Sequence, residues 1–471
     1  MTPRTTTADP VEKAYAKAEA RYVAANPASR AAHETAVLSL PGGNTRSVLH
    51  WAPYPLCIGS AEGYTLRDAD GHAYVDLLGE YSAGLYGHSH PVLRAAIADT
   101  VRRGLSYGGP HAAEARLAAL LRARFPSVER VRFTNSGTEA NLMALAAAKA
   151  FTGRYSGKVV VFEGAYHGGV LAFPFGCGDV WRDGGSSGKY DVLRAVNAPH
   201  DFLVATYNDA ASVDALIGRG DDIAAILLEP MLGSGGGVCA TPDFVSRLRR
   251  RADEIGALLI LDEVMTSRMH AGSGLQGALR VRPDLTTLGK YLGGGMSFGA
   301  FGGREDVMAL FDPRTPGALP HAGTFNNNVL TMNVGAAGLE GVFTPDTALA
   351  LHALGDELRR RVNDVAARAS VPGRRRLVAL GCGSILVFHF AVKGSAEIAS
   401  PADWVGEEDL RLLDLFHLEM LHEGFYLARR GYVALSVVLL GEEGGKVLDR
   451  FVDAVGRFVV LFRELICFGL S

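Results

Sequence analysis

Cysteine is scarce in this chain and follows no pairing pattern. The five in 471 residues, Cys57, Cys177, Cys239, Cys382 and Cys467, are odd in number and widely separated. That argues against a disulfide-stapled secreted scaffold and supplies no metal-ligand spacing. No apolar run approaches the roughly 18 residues needed to span a bilayer. An excess of one charge is missing too. Lys and Arg number 47 against 50 Asp and Glu, and the net charge of −3 gives no basic footprint for nucleic acid. Three arginine triplets occur, at 249–251, 359–361 and 374–376, and the first two sit in helix-like stretches that suit solvated faces. Met1–Pro10 lacks the apolar core of a secretory signal, and Asp9 and Glu12 do not suit a transit peptide. The cytosol is the expected compartment, with neither a membrane nor a nucleic acid as partner.

What is present is a folding chain of more than one core. Hydrophobic residues make up 48% and charged residues 21%, which excludes a disordered protein, and the length favours two domains. Residues 10–25 have helical periodicity, and Gly63–Asp76 reads as a hairpin turning at Asp70-Gly71. From about residue 90, helices alternate with short apolar strands. Helices are expected at 112–125, 138–151 and 243–255, and strands at 131–134, 158–162, 223–229 and 258–262. That alternation predicts a mainly parallel sheet covered on both faces. Beyond about 340 come a long helix at 347–369, strands near 384–390 and 433–438, and helices at 407–422 and 444–465. These predict a smaller α+β domain, completed by the N-terminal segment. The expected division is 1–85, 86–340 and 341–471. Gly176–Gly188 has loop composition.

Four polar motifs each follow an apolar strand, and in parallel sheets the carboxyl ends of strands gather ligand groups. Thr134-Asn-Ser136-Gly137-Thr138 opens a helix, where free N–H groups and the dipole suit a phosphate, although Ser and Thr are also ordinary N-caps. Tyr166-His167 offers a ring that could stack on a flat heteroaromatic. His167 is equally a hydrogen-bonded loop histidine, with no partner visible in sequence. Glu229-Pro-Met ends a third strand and Asp262-Glu-Val264 a fourth. About 28 residues further on, Lys290 closes the apolar run Leu285–Gly289 ahead of a glycine cluster. A lysine that can form a Schiff base and an aspartate that can keep a pyridinium nitrogen protonated are what pyridoxal phosphate (PLP) requires of a protein. The Lys290 amine must be neutral to react, which burial near other cations favours. The glycines of 293–303 suggest a nicotinamide dehydrogenase only weakly, because Gly299–Gly302 does not open a helix after a strand.

These motifs resemble the class III, fold type I, PLP-dependent aminotransferases, and the likeness runs over residues 35–440. It is carried by Asn135–Asn141, Tyr166–Gly169, Glu229–Met231, Asp262–Arg268, Lys290–Met296 and His321–Asn328, in family order. The resemblance implies a fold type I large domain with a mainly parallel sheet plus a smaller α+β domain. It makes Lys290 the Schiff-base lysine, Asp262 the pyridinium partner, Ser136, Gly137 and Thr138 the phosphate cradle, and Tyr166 the stacking ring. His167, Glu229 and Val264 join the cofactor-binding set. Thr324 would reach the phosphate of the neighbouring subunit's cofactor, which implies a homodimer with shared sites.

Within the family, the β-amino acid aminotransferases acting on β-phenylalanine look nearest, and glutamate-1-semialdehyde 2,1-aminomutase is the alternative. The aminomutase pattern places its arginine two positions later than Arg46, where this chain has Val48. By resemblance Arg46 takes the carboxylate of a β-amino acid and Arg430 that of an α-keto acid, since a guanidinium fork holds both oxygens. Arg429 is adjacent, so which of the two faces inward is left open. Arg46 also suits a surface-loop salt bridge. Tyr81, Leu85 and Tyr86 are the expected side-chain pocket. The implied reaction is ping-pong transfer of an amino group from a β-amino acid to a keto acid such as 2-oxoglutarate or pyruvate.

Overall fold

The computed structural model describes residues 9–175, 197, 200–218, 222–404 and 409–468. Gly176–Gly188 lies outside them. So does the longer region to residue 198, expected to shape the entrance, apart from Asn197. At the centre is a seven-stranded sheet in the order β4, β10, β9, β8, β7, β5, β6. The strands are β4 (Arg130–Thr134), β5 (Lys158–Phe162), β6 (Phe202–Ala205), β7 (Ile223–Leu228), β8 (Leu258–Asp262), β9 (Leu285–Gly289) and β10 (Gly299–Gly303). Strand β10 is antiparallel to both its neighbours and every other pair from β9 to β6 is parallel, so six strands share one direction. Strands β7, β8 and β9 are buried at every position, as strands covered on both faces must be.

The local chemistry accounts for the elements. Helix α5 (Gly137–Thr152) starts where Ser136 Oγ accepts the Glu139 N–H at 3.1 Å and stops at Gly153, whose φ of 68° suits glycine. Its buried alanines, Ala140, Ala144, Ala147 and Ala148, let it lie close on the sheet. The helix Pro242–Ile255 is capped by Thr241 and ended by Gly256, and buries Phe244, Val245, Leu248 and Ala252 on one face. The first two arginine triplets are helix-face ion pairs: Arg249 meets Asp253 at 2.6 Å and Asp284 at 2.7 Å, and Arg360 meets Glu357 at 2.7 Å. Gly299–Gly303 is a strand rather than a nucleotide loop. Side chains at Gly302 and Gly303 would collide with the carbonyls of Arg130 and Asp284 on the flanking backbone, so only glycine fits between β4 and β9.

Two smaller sheets complete the chain. The hairpin β2 (Thr65–Asp68) and β3 (Ala73–Asp76) forms as expected, with β1 (Ile58–Glu62) on one side. On its other side β13 (Phe425–Tyr426) pairs in parallel with β3, joining the N-terminal segment to the C-terminal region. Strands β11 (Arg376–Cys382), β12 (Ile385–Ala391) and β14 (Tyr432–Ala434) form an antiparallel sheet. The strand expected at 433–438 is shorter, because a 3-10 turn takes Val437–Leu439. The helix expected to run to 465 ends at Leu461 and restarts as Arg463–Phe468. Among the described residues no helix is long and apolar enough to cross a membrane.

Candidate active site

Five strands deliver polar groups to one edge of the central sheet: β4 leads to Ser136–Thr138, β5 to Tyr166 and His167, β7 to Glu229, β8 ends on Asp262, and β9 leads to Lys290. Asp262 is the most heavily constrained of them. Only 4% of it is exposed, and its Oδ2 accepts from Asn141 Nδ2 and His167 Nδ1, each at 2.8 Å. The Val264 N–H donates to Oδ1 at 3.0 Å. A carboxylate offers about four lone-pair sites, so Oδ1 retains one for a further donor. Asn141 is itself oriented by Thr287 Oγ1, which donates to its Oδ1 at 2.8 Å, while its Nδ2 also reaches the His167 carbonyl at 2.9 Å. His167 is buried, and its Nε2 has no partner among the described residues. The partner that sequence could not show for His167 is Asp262.

Glu229 accepts the N–H groups of Tyr166 at 2.8 Å and Gly233 at 3.2 Å. Burial pushes its carboxyl up to about 7, the Asp262 charge acts in the same direction, and His167 opposes them. Lys290 follows β9 with φ of 57°, a left-handed turn that aims it away from the strand. Burial pulls its ammonium down to about 8, against the attraction of Asp262 and Glu229, and the positive charges of Arg46 and Arg430 add to the lowering. The helix start behind it is cramped. A Cβ at Gly137 would stand 2.8 Å from the Val264 methyls, and one at Gly168 would strike Thr138, whose Oγ1 accepts the Gly169 N–H at 3.2 Å. Tyr166 keeps 46% of its surface exposed beside this cradle.

The outer wall carries the arginines. Arg46 lies 5.6 Å and Arg430 5.2 Å from the Tyr81 ring centroid, so one aromatic ring carries two guanidinium groups. Arg46 Nη1 also reaches Glu80 Oε2 at 3.3 Å, with both side chains about half exposed. Arg430 Nη1 donates to Ser234 Oγ at 3.2 Å. Arg429 turns outward, with its Nη2 2.8 Å from Asp414 Oδ2, so Arg430 is the inward member of the pair. Gly79, Glu80, Tyr81 and Ser82 all have positive φ, which is costly for three side-chain-bearing residues in succession. The turn is held by Asp76, whose Oδ1 accepts the N–H groups of Leu78 and Gly79 at 2.9 Å.

The three expected pocket residues differ in their surroundings. Leu85 has no exposed surface, and Tyr86, 2% exposed, packs against Tyr291 beneath Gly338. Both are buried in the core, and of the three only Tyr81 reaches the arginines. Thr324 lies exposed on the surface of the single chain. Sequence reasoning gave no role to Asn141, Glu80, Ser234 or Arg268. The buried Arg268 donates from Nε to Ser384 Oγ at 2.9 Å, and its two Nη groups reach the carbonyls of Leu435 and Ser82. It thereby ties the loop after β8 to the Tyr81 turn.

A reactive lysine of lowered basicity, a rigid carboxylate with one free lone pair and a tight helix start together match the three ends of PLP: its aldehyde, its ring nitrogen and its phosphate. The fold and this arrangement define a PLP-dependent enzyme of fold type I. The model of the class-III aminotransferase family matches residues 49–409. The chain is 48% identical over 453 residues to the β-phenylalanine transaminase of Variovorax paradoxus, covering 95% of this chain and 96% of the relative. It superposes on the crystal structure of a β-phenylalanine aminotransferase from the same organism with a TM-score of 0.87, over 97% of this chain and 99% of that one. An ω-transaminase of Sphaerobacter thermophilus is 33% identical with a TM-score of 0.79, over 92% and 97% of the two chains. A glutamate-1-semialdehyde aminomutase of Pseudomonas aeruginosa, 23% identical with a TM-score of 0.80 over 95% and 98%, shares the fold. The chain belongs to the class-III aminotransferase family. It is a PLP-dependent transaminase.

Proposed function

We propose that this transaminase takes the amino group from a β-amino acid with an aromatic β-substituent and passes it to an α-keto acid such as 2-oxoglutarate or pyruvate. The observation that carries the reading is the pair of guanidiniums on one ring. Arg46 and Arg430 approach Tyr81 from different segments and remain free enough to exchange weak partners for a substrate carboxylate. Arg46 receives the donor's carboxylate and Arg430 the acceptor's, so the two half-reactions alternate at one centre. The relative named for β-phenylalanine supports the choice of donor. The aminomutase reading has fold likeness behind it but lacks the displaced arginine, since position 48 is valine.

When bound, PLP supplies the electron sink that lets the amino group leave one carbon and join another. The protein does the rest. Asp262 would hold the ring nitrogen's proton, while His167, Asn141 and Val264 fix the carboxylate. The N–H groups opening α5, with the hydroxyls of Ser136 and Thr138, hold the phosphate. Tyr166, Glu229 and Val264 would complete the set of residues that holds the ring. Lys290 would carry the cofactor through Nζ, and the same nitrogen would take the proton from the amine-bearing carbon of the donor and return one in the acceptor half. Thr324, exposed on one chain, reaches the phosphate of a second copy in a homodimer, and the enzyme works in the cytosol. Residues 1–85 and 341–471 build the small domain around the large domain of 86–340.

Rapid mixing of the holoenzyme with β-phenylalanine, while following the cofactor's visible absorbance, tests the donor. Bleaching by β-phenylalanine but not by α-phenylalanine is expected, with glutamate or alanine bleaching through the reverse of the acceptor half, and bleaching by α-phenylalanine but not by β-phenylalanine ends the proposal. Turnover that proceeds without any keto acid would favour the aminomutase.

A further inference from the structure

The turn that carries Tyr81 is anchored by two side chains set apart from the cofactor centre. Asp76 ends β3 and is 7% exposed. Its Oδ1 accepts the Leu78 and Gly79 N–H groups, each at 2.9 Å, and its Oδ2 accepts from His88 Nε2 at 2.8 Å. The main chain of His88 is fixed in turn by Gly63, which it meets through backbone bonds of 2.8 and 3.0 Å. One carboxylate therefore joins a fixed imidazole to the base of the turn.

The turn needs such an anchor. Gly79, Glu80, Tyr81 and Ser82 have φ of 52°, 50°, 51° and 75°, and the last three pay for their side chains in that region. An aspartate that accepts from the residues two and three further on favours a turn of this kind. On its other side the turn rests on β14. The Ala434 N–H donates to the Leu77 carbonyl at 2.8 Å, and the Ala434 carbonyl leaves no room for a Cβ at Gly79. What the turn presents bears on the two arginines unequally. The Tyr81 hydroxyl donates at 3.2 Å to the carbonyl of Val48, two residues from Arg46, and Glu80 pairs with the Arg46 guanidinium at 3.3 Å. Arg430 shares the Tyr81 ring, but it also has Ser234 Oγ at 3.2 Å and the Tyr432 ring centroid at 5.8 Å, and neither belongs to the turn.

We propose that Asp76 and His88 are positioning residues for the amine donor: by holding the left-handed turn they fix the place of Arg46, and with it the affinity for the donor's carboxylate. The inference rests on the assignment of Arg46 to that carboxylate. Each residue acts through the turn and not on a reacting atom. His88 orients the carboxylate by occupying Oδ2, which leaves Oδ1 to the two N–H groups. Without the carboxylate those N–H groups lose their acceptor, and Glu80 and Tyr81 relax out of the left-handed region. The hydroxyl, ring and carboxylate that hold the Arg46 segment then move with them, whereas Arg430 keeps Ser234 and Tyr432.

The test is steady-state kinetics of the holoenzyme with an amine donor and a keto acid that the wild type turns over. Asp76→Ala should raise the donor KM by about tenfold, the fold-change of a lost buried hydrogen bond, with kcat and the acceptor KM unchanged. Asp76→Asn, whose Oδ1 accepts the same N–H groups and whose Nδ2 donates to a neutral His88, should return the donor KM to within about threefold of wild type. His88→Ala, which keeps both bonds to the turn, should raise the donor KM by a smaller factor than Asp76→Ala. Placed on top of Arg46→Ala, Asp76→Ala should add nothing to the donor KM, because its route runs through that guanidinium. A fall in kcat with both KM values unchanged, or an equal rise in both KM values, overturns the proposal. Where circular dichroism shows Asp76→Ala unfolded, His88→Ala decides, and an unchanged donor KM there overturns it as well. Arg46→Ala with an unchanged donor KM refutes the donor assignment itself, whereas a normal Arg46→Ala loss beside a silent Asp76→Ala refutes the positioning role alone.

Discussion

The strand-end centre and the arginine wall lie within one electrostatic neighbourhood, yet they are built in opposite ways. At the centre, Asp262 is buried and has three donors fixed by neighbouring elements, and Asn141 is locked in turn by Thr287. At the wall, Arg46 and Arg430 each have one weak polar partner and lean on a ring in a strained left-handed turn. A group that acts on the cofactor must not move between substrates, and rigid strands supply that. A group that must accept two different carboxylates in turn has to exchange partners, and loops allow that. The difference divides reaction type from substrate choice. The centre fixes the chemistry and the wall selects what undergoes it.

The largest expected effect comes from breaking the centre. Lys290→Ala removes both the cofactor's anchor and the proton carrier, so kcat/KM should fall by at least about 10⁴-fold, the upper range for a general acid–base group. Borohydride should then fix no cofactor to the peptide containing position 290. Asp262→Asn keeps the shape of the site and removes the charge. A fall of about 10²–10³-fold in kcat is expected, comparable to losing a preorganised electrostatic partner. An equal proportional loss in the donor and acceptor half-reactions of that variant, with each KM unchanged, would confirm that the centre serves both halves alike.

The wall should break asymmetrically. Arg46→Ala is expected to lower kcat/KM for the β-amino acid by about 10²-fold, as expected for losing a charge-assisted pair of hydrogen bonds, and to leave the acceptor half within about threefold. Arg430→Ala should do the reverse. Half-reaction rates measured separately with β-phenylalanine and 2-oxoglutarate check this, and an equal loss in both halves from either variant would erase the proposed division. Arg429→Ala, whose partner is the outward Asp414, should change neither half measurably.

The same contrast explains what the sequence could and could not reveal. Glu229 and Asp262 were legible because they close continuous apolar strands, and Lys290 and the Ser136 cap because each lies just past a short strand ahead of a glycine, and chain direction alone brings parallel strand ends together. Asn141 was less visible, because its partners lie 121 and 146 residues away and no local pattern announces a bridge. Strand β9 hides behind its threonines and β10 behind glycines whose value is the absence of a side chain. The wall was harder still. Which of Arg429 and Arg430 faces inward depends on Asp414 and Ser234, residues that share no motif with them. Tyr81 differs from Leu85 and Tyr86 only through the left-handed turn that projects it.

The smallest expected effect sharpens the link between the two regions, since wall cations act on the lysine at the centre. Burial sets the Lys290 ammonium near 8, and Arg46 and Arg430 add to that lowering. Attack on the cofactor aldehyde requires the neutral amine, and the neutral fraction rises with pH through the pKa. Mixing apoenzyme with PLP should therefore give a loading rate that climbs across about pH 8 and levels off above it. Removing either arginine withdraws a repulsion that favours the uncharged amine, so the midpoint in Arg46→Ala or Arg430→Ala should move to higher pH. Asp262→Asn withdraws an attraction that favours the charged amine, so its midpoint should move lower. Opposite displacements from the two regions would establish that one field, contributed by both, tunes this nitrogen. Displacements of the same sign would mean that the arginines and the aspartate act on it only by altering its exposure to water.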